Sequence, residues 1–258
     1  MRDKPFEPGR YHPLSWLLRL SLLLTLPGAV CGQRADALQI HPLTGDLYVF
    51  TTFQVYDGTP YPANGLYVVS RQGVVLIDSP WDTTQCQPLL DSIRTRHGQE
   101  VVMCLATHSH SDRTGGFDFF RRKGIATFTS RLTDSICQLQ KAKRARFVFE
   151  RDTTFTVGQH RFQAFYGGPG HTLDNIVVWF EQEKVLYGGC MIKSTESATL
   201  GYIGEAYLAE WPASLKRIRR QFGRPRFVVP GHEGWHNRKS IEHTLRMLRQ
   251  ANRKQAPK

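Results

Sequence analysis

The sequence predicts an α/β protein whose single main domain is built from two pseudo-equivalent βα halves packed together. Three observations carry that reading. Strand-like and helix-like segments alternate along both halves of the chain. The run Val101–Ala106 is continuously apolar, the pattern of a strand buried on both faces of a parallel sheet. No low-complexity linker separates the halves, so one core is expected. At 258 residues, 40% hydrophobic and 22% charged, the chain is not of a disordered, collagenous or disulfide-scaffold kind.

The elements follow in order. Leu47–Val55 and Leu66–Ser70 are rich in Tyr, Val, Phe and Thr and read as strands. The stretch Tyr56–Pro62 between them is turn-forming, which makes a long hairpin with exposed aromatics. Gly73–Asp78 is a further strand, closed by Ser79-Pro80. Thr83–Arg96 places Leu89, Leu90 and Ile93 at helical spacing. Val101–Ala106 is the buried strand; Gly116–Lys123 and Leu132–Lys143 read as helices around a short strand, Ala126–Thr129. Strands follow at Thr153–Val157, Arg161–Phe165, Ile176–Phe180 and Val185–Tyr187. Ala213–Phe222 is a helix with Pro212 suited to its first turn, and Phe227–Val229 is a short buried strand. Ser240–Lys254 is an amphipathic helix with Ile241, Leu245 and Leu248 on one face.

The N-terminus reads as an export signal. Arg2, Lys4 and Arg10 precede an apolar run from Leu14 to Leu26, interrupted at Arg19 and broken at Pro27-Gly28. That run is too short to span a bilayer, which takes about 20 apolar residues. Ala35-Asp36-Ala37 fits a cleavage site, so residues 1–37 are expected to be removed and 38–258 to form the exported domain. A lipoprotein signal ending at Cys31 is disfavoured by Val30, where a small residue is wanted. The destination expected is the periplasm, with no stable membrane insertion.

The formal net charge is +12; losing residues 1–37, with five Lys/Arg and three Asp/Glu, leaves +10. Such a balance fits a nucleic-acid partner, an acidic substrate or an anionic membrane surface. The Lys and Arg residues are dispersed and no nucleic-acid motif is present, so a nucleic-acid partner is not expected. The cysteine spacings do not form a disulfide framework; Cys86, Cys104 and Cys137 read as small core or helix residues.

Four segments repeat one form: an apolar strand, a turn, then side chains able to bind metal. Thr107-His108-Ser109-His110-Ser111-Asp112-Arg113-Thr114-Gly115-Gly116 follows Val101–Ala106. In extended backbone His108, His110 and Asp112 share one face. Gly170-His171, Gly189-Cys190 and Gly231-His232 each follow a strand in the second half. Strand ends are where α/β proteins gather sites. Six ligands, His108, His110, His171, Asp112, Cys190 and His232, suit two zinc ions with three ligands each. Three protein ligands with one open position is the pattern of catalytic zinc. His12, His41, His97, His160, His236 and His243 lack this setting and read as surface or structural residues.

These motifs resemble the metallo-β-lactamases, specifically the subclass whose second zinc is held by Asp, Cys and His. The similarity runs from about Leu47 to about Leu248 and includes Leu76–Trp81 and Asp174–Trp179. The resemblance implies a four-layer αβ/βα sandwich: two mixed β-sheets flanked by helices, with both zincs at one sheet edge. It assigns His108, His110 and His171 to the first zinc and Asp112, Cys190 and His232 to the second. It makes Asp112 also the residue that orients a metal-bound hydroxide, Lys193 the partner of the substrate carboxylate, and Tyr56–Pro62 a flap. Arg113 would stand behind Asp112 and Cys190. Tyr202 occupies a position often Asn in this family, so its hydroxyl is one candidate donor to the substrate carbonyl and a structural tyrosine the other. The activity implied is hydrolysis of penicillins, cephalosporins and carbapenems by a monomer, conferring antibiotic resistance. Superfamily members acting on thioesters, lactones or phosphodiesters usually carry His at the Arg113 position and a bridging Asp at the Cys190 position; this chain has neither.

Overall fold

The computed structural model describes residues 38–56 and 58–255. The expected export signal, with Cys31 and His12, lies outside the described residues. Seven strands form the first sheet in chain order: β1 (Gln39–Thr44), β2 (Leu47–Tyr56), β3 (Thr59–Ser70), β4 (Gly73–Ile77), β5 (Val101–Leu105), β6 (Ala126–Ser130) and β7 (Phe147–Phe149). Pairing is antiparallel up to β4 and parallel from β4 to β7. The second sheet holds β8 (Thr153–Val157), β9 (His160–Phe165), β10 (Val177–Phe180), β11 (Val185–Gly189) and β12 (Phe227–Pro230). Its spatial order is β12-β11-β10-β9-β8, antiparallel except for the parallel pair β11 and β12. The helices are α1 (Cys86–His97), α2 (Ser111–Thr114), α3 (Phe117–Arg122), α4 (Arg131–Leu139), α5 (Trp211–Phe222) and α6 (Ser240–Gln255).

Three apolar clusters stack these elements into four layers. The central one lies between the sheets and joins Leu47, Leu66, Ile77 and Leu105 of the first to Phe162, Val178, Val185 and Val229 of the second. A second cluster packs Trp211, Leu215 and Ile218 of α5 and Ile241, Leu245 and Leu248 of α6 against Val177, Leu186 and Val228. A third packs Leu89 and Ile93 of α1 and Phe117 and Phe120 of α3 against Tyr67, Leu76 and Cys104. Strand alternation explains the division: Leu186 faces the helices while its neighbours Val185 and Tyr187 face the other sheet. The αβ/βα sandwich expected from the sequence is therefore the architecture found.

Several boundaries differ from the sequence reading. β1 and β7 are additional strands at the two edges of the first sheet, β1 with Pro42 in its interior, where an edge strand tolerates it. Thr59–Pro62 belongs to β3 rather than to the turn, and pairs with β2 through Pro60 and Pro62. Those prolines share the parity of Asn64, whose N–H turns away from β2 to the Gly231 carbonyl, so the missing donors cost no β2 hydrogen bond. The helix expected to reach Lys143 stops at Leu139, because Lys141 adopts a left-handed φ of 56°. Ser111–Thr114 is a helical turn, not an extended loop.

Phe162 is 1% exposed and stacks between Phe155 and Phe180, with ring centroids at 5.4 and 5.2 Å. Phe162→Ala should lower the unfolding free energy by about 3–5 kcal/mol in urea denaturation. Leu139→Ala, at a residue 83% exposed, should change it by about 0.5 kcal/mol or less.

Candidate metal centre

All six ligand candidates meet at one edge of the two sheets. β5 leads into His108 and His110, α2 carries Asp112, and β9 leads into the loop holding His171. Cys190 directly follows β11, and His232 lies two residues past the end of β12. Their donor atoms form three overlapping groups, each within 4.8 Å: Asp112, Cys190 and His232; His108, His110 and Asp112; and His108, His171 and Cys190. The three rings of His108, His110 and His171 stand edge-on to one another, with centroids 4.8 to 5.2 Å apart. The helical turn corrects the parity argument for Asp112. Its carboxylate enters the cluster because α2 winds it back toward His108, Oδ1 lying 4.0 Å from His108 Nε2.

The spacings suit zinc. Two nitrogens at 2.0–2.1 Å from a tetrahedral zinc are about 3.3 Å apart, and a thiolate–nitrogen pair about 3.5 Å. His171 Nε2 and His110 Nδ1 are 3.3 Å apart. Cys190 Sγ lies 3.2 Å from His232 Nε2 and 3.5 Å from Asp112 Oδ2, and His232 Nε2 lies 3.1 Å from that oxygen. His108 Nε2 is buried without a hydrogen-bond partner among the described residues, as a ligand atom aimed at a cation would be.

Arg113 supports the second group. Its side chain is 0% exposed. Nη2 lies 2.9 Å from Asp112 Oδ2, 3.0 Å from Cys190 Sγ and 2.9 Å from the Gly231 carbonyl, to which it donates. Nη1 donates to the Asn64 carbonyl at 2.8 Å and lies 3.3 Å from Asp78 Oδ2. Burial alone would raise the Asp112 pKa; Arg113 and the His232 hydrogen bond overcome it and hold the carboxyl well below the usual range. Burial pushes the Asp78 carboxyl up to about 6, against the pull of Arg113, Tyr187 and Thr107. Burial drives the His108 and His171 pKa values well down, leaving both imidazoles neutral and free to donate a lone pair. For His232 burial is outweighed by Cys190 and Asp112, and its pKa rises to about 9.

Gly231 is where three segments cross. A Cβ there would sit 2.7 Å from Arg113 Nη2, from Cys190 N and from Gly189 C, so no larger residue fits without moving backbone. Asp78 and Glu233 adopt left-handed φ values of 67° and 60° beside the site, a conformation disfavoured for residues other than glycine.

Lys193 is 7% exposed, its ammonium 5.6 Å from the Trp211 ring centroid. Burial lowers its pKa, opposed by Cys190 and Asp112. It lines a recess with Tyr61, Ser197, Thr199 and His232. Tyr202 is 62% exposed at the rim, its ring 5.9 Å from that of His110. Tyr61 of β3 and Trp81 flank His232 at 5.2 and 6.0 Å.

Glu205 was not singled out by the sequence reading. Its Oε2 lies 2.8 Å from His110 Nε2, and its Oε1 accepts from Gln140 Nε2 at 3.2 Å. A proton held on Nε2 leaves the Nδ1 lone pair facing His171. No local spacing marks Glu205, which lies 95 residues from His110.

Two mixed sheets packed face to face, with His, Asp and Cys side chains drawn from four strand ends to one edge, define an αβ/βα-sandwich protein with a candidate metal site. The model of the Metallo-beta-lactamase superfamily matches residues 58–232, and the chain belongs to that family. It is 43% identical over 242 residues to Metallo-beta-lactamase type 2 of Elizabethkingia meningoseptica, covering 94% of this chain and 97% of that protein. It is 38% identical over 207 residues to Metallo-beta-lactamase IND-1 of Chryseobacterium indologenes, covering 80% and 87% respectively. The structure of a metallo-beta-lactamase from Pontibacter korlensis superposes with a TM-score of 0.79 at 33% identity, covering 82% of this chain and 99% of that one.

Glu205→Ala should weaken zinc binding by about 10- to 100-fold in a competition titration. Its unfolding midpoint in chelator should match that of the parent protein, because Glu205 sits at the surface of the cluster.

Proposed function

We propose that this protein is a zinc-dependent β-lactam hydrolase that opens the ring of penicillins, cephalosporins and carbapenems and so confers antibiotic resistance. The observation that carries this reading is the convergence of six ligand side chains from four strand ends at zinc-compatible spacings. His108, His110 and His171 hold one zinc, and Asp112, Cys190 and His232 a second. Bound zinc supplies Lewis acidity and lowers the pKa of water to about 7, which makes a nucleophile available at neutral pH.

The side chains of the chain divide the remaining work. Asp112 is kept ionised by Arg113, so one carboxylate oxygen can serve as ligand while the group orients the attacking water. Arg113 holds Asp112 and Cys190 together and is itself too buried to meet substrate. Lys193 is a nearly buried cation with no carboxylate partner among the described residues, and it faces a recess beside His232. A substrate carboxylate completes that pair and sets the lactam carbonyl in register. Tyr61, Trp81 and Tyr202 supply apolar walls. Tyr202 stands exposed at the rim with its ring 5.9 Å from that of His110, within the reach of a substrate bound there. Attack at the carbonyl carbon breaks the C–N bond of the ring, and the leaving nitrogen takes a proton. The first 37 residues direct the chain to the periplasm and are removed there, and the processed chain works as a monomer. Among the described residues no helix is long and apolar enough to cross a membrane.

Hydrolysis of nitrocefin and of a carbapenem should vanish in a strong chelator and return with added zinc; activity unchanged in chelator would refute the metal reading. Zinc counting by titration should give two ions in the parent protein and one tightly held ion in Cys190→Ser. For the processed protein purified from its host, N-terminal sequencing should begin near Leu38; a start at Met1 would remove the export assignment.

A further inference from the structure

Basic side chains that are scattered along the sequence meet in one groove on the face opposite the sheet-to-sheet core. Arg219 comes from the last turn of α5, Arg224 from the turn after it, and Arg238 and Lys239 from the segment entering α6. The groove has a volume of about 780 Å3, with Pro225, Val228 and Ile241 in its lining and Glu242 as its one acidic residue. All four basic residues are exposed. None forms an ion pair with a carboxylate among the described residues, whereas Arg94, Arg121, Arg131, Lys143 and Arg144 elsewhere do. The groove begins at the start of β12 and the metal cluster lies past its other end, so the two are separate.

Four unpaired cations around an aliphatic floor fit an amphiphilic anion. Guanidinium groups pair with phosphate oxygens in a two-pronged fashion, and the apolar floor suits the glycerol and upper acyl region of a phospholipid. No aromatic residue lines the groove, so it offers no stacking platform for single-stranded nucleic acid. We propose that this groove docks the protein reversibly on a membrane surface carrying anionic phospholipid. The contact is peripheral and electrostatic, and it leaves the metal centre at the far end of β12 open to solvent.

The test is co-sedimentation of the zinc-loaded protein with vesicles of phosphatidylcholine alone and of phosphatidylcholine with about one-third phosphatidylglycerol. Each is run at ionic strengths of about 0.01 and 0.15 M, where the screening length falls from about 30 to about 8 Å. Binding should require phosphatidylglycerol and weaken with salt. The Arg224→Gln, Arg238→Gln, Lys239→Gln variant should lose about fivefold in partitioning per cation, on the order of a hundredfold in all. Glu242→Gln should bind more tightly. A control, Arg71→Gln, Arg96→Gln, Arg122→Gln, removes the same charge from exposed sites elsewhere. Circular dichroism identical to the parent establishes that each variant is folded. Equal losses in the two triple variants would reduce the effect to net charge and overturn the proposal. So would the absence of binding to phosphatidylglycerol vesicles. Displacement from the vesicles by millimolar inorganic phosphate at constant ionic strength would assign the groove to a soluble phosphate instead and also overturn it.

Discussion

A guanidinium buried without solvent contact is the constraint on which the site depends. Arg113 carries a charge that costs several kcal/mol to remove from water unless partners surround it. Those partners come from everywhere the site needs to be joined: Asn64 on β3, Asp78 after β4, Asp112 on α2, Cys190 after β11 and Gly231 after β12. Arg113 thus ties the two sheets to each other at the metal edge, together with the Asn64 side chain, which donates to the Pro230 and Glu233 carbonyls, and the Tyr187 hydroxyl, which donates to Asp78. The same charge holds Asp112 ionised, so joining the segments and keeping this carboxylate charged are one electrostatic event.

Around that point the backbone gives way where the side chains do not. Asp78 and Glu233 accept left-handed conformations, and Gly231 accepts contacts closer than any Cβ allows. Such departures persist only where the surrounding contacts over-determine them. Here Asp78 accepts hydrogen bonds from Thr107 N, Thr107 Oγ1 and Tyr187 at 2.7 to 2.9 Å. The Gly231 carbonyl accepts from Asn64 N at 2.8 Å as well as from Arg113. Strain and hydrogen bonding therefore sit at the same residues.

The layered fold and the loops that carry the ligand candidates were legible in the sequence because each rests on a local pattern. Val101–Ala106 declares a buried strand by itself, and Gly170-His171, Gly189-Cys190 and Gly231-His232 each declare a turn with a ligand. What escaped depends on partners distant in the chain. β1 holds a proline and β7 has only three residues, Phe147–Phe149, too few to show a period, and both exist through their neighbours. Pro60 and Pro62 argue against a strand until the direction of each N–H is known. The parity argument for Asp112 failed because α2 begins one residue earlier, at Ser111. Glu205 is recognisable only once the loop that carries it folds over His110.

The contrast between floor and rim at the metal edge governs how the protein can change through evolution. The ligand candidates, Arg113 and Gly231 form an interlocked floor in which an exchange disturbs several segments at once. Tyr202, Ile203 and Tyr207 stand with exposed side chains on the adjoining loop. Variation accumulates where it costs little stability. An exchange at Tyr202 or Ile203 therefore reshapes the rim at little cost to stability, whereas one at Arg113 or Gly231 loosens several segments together.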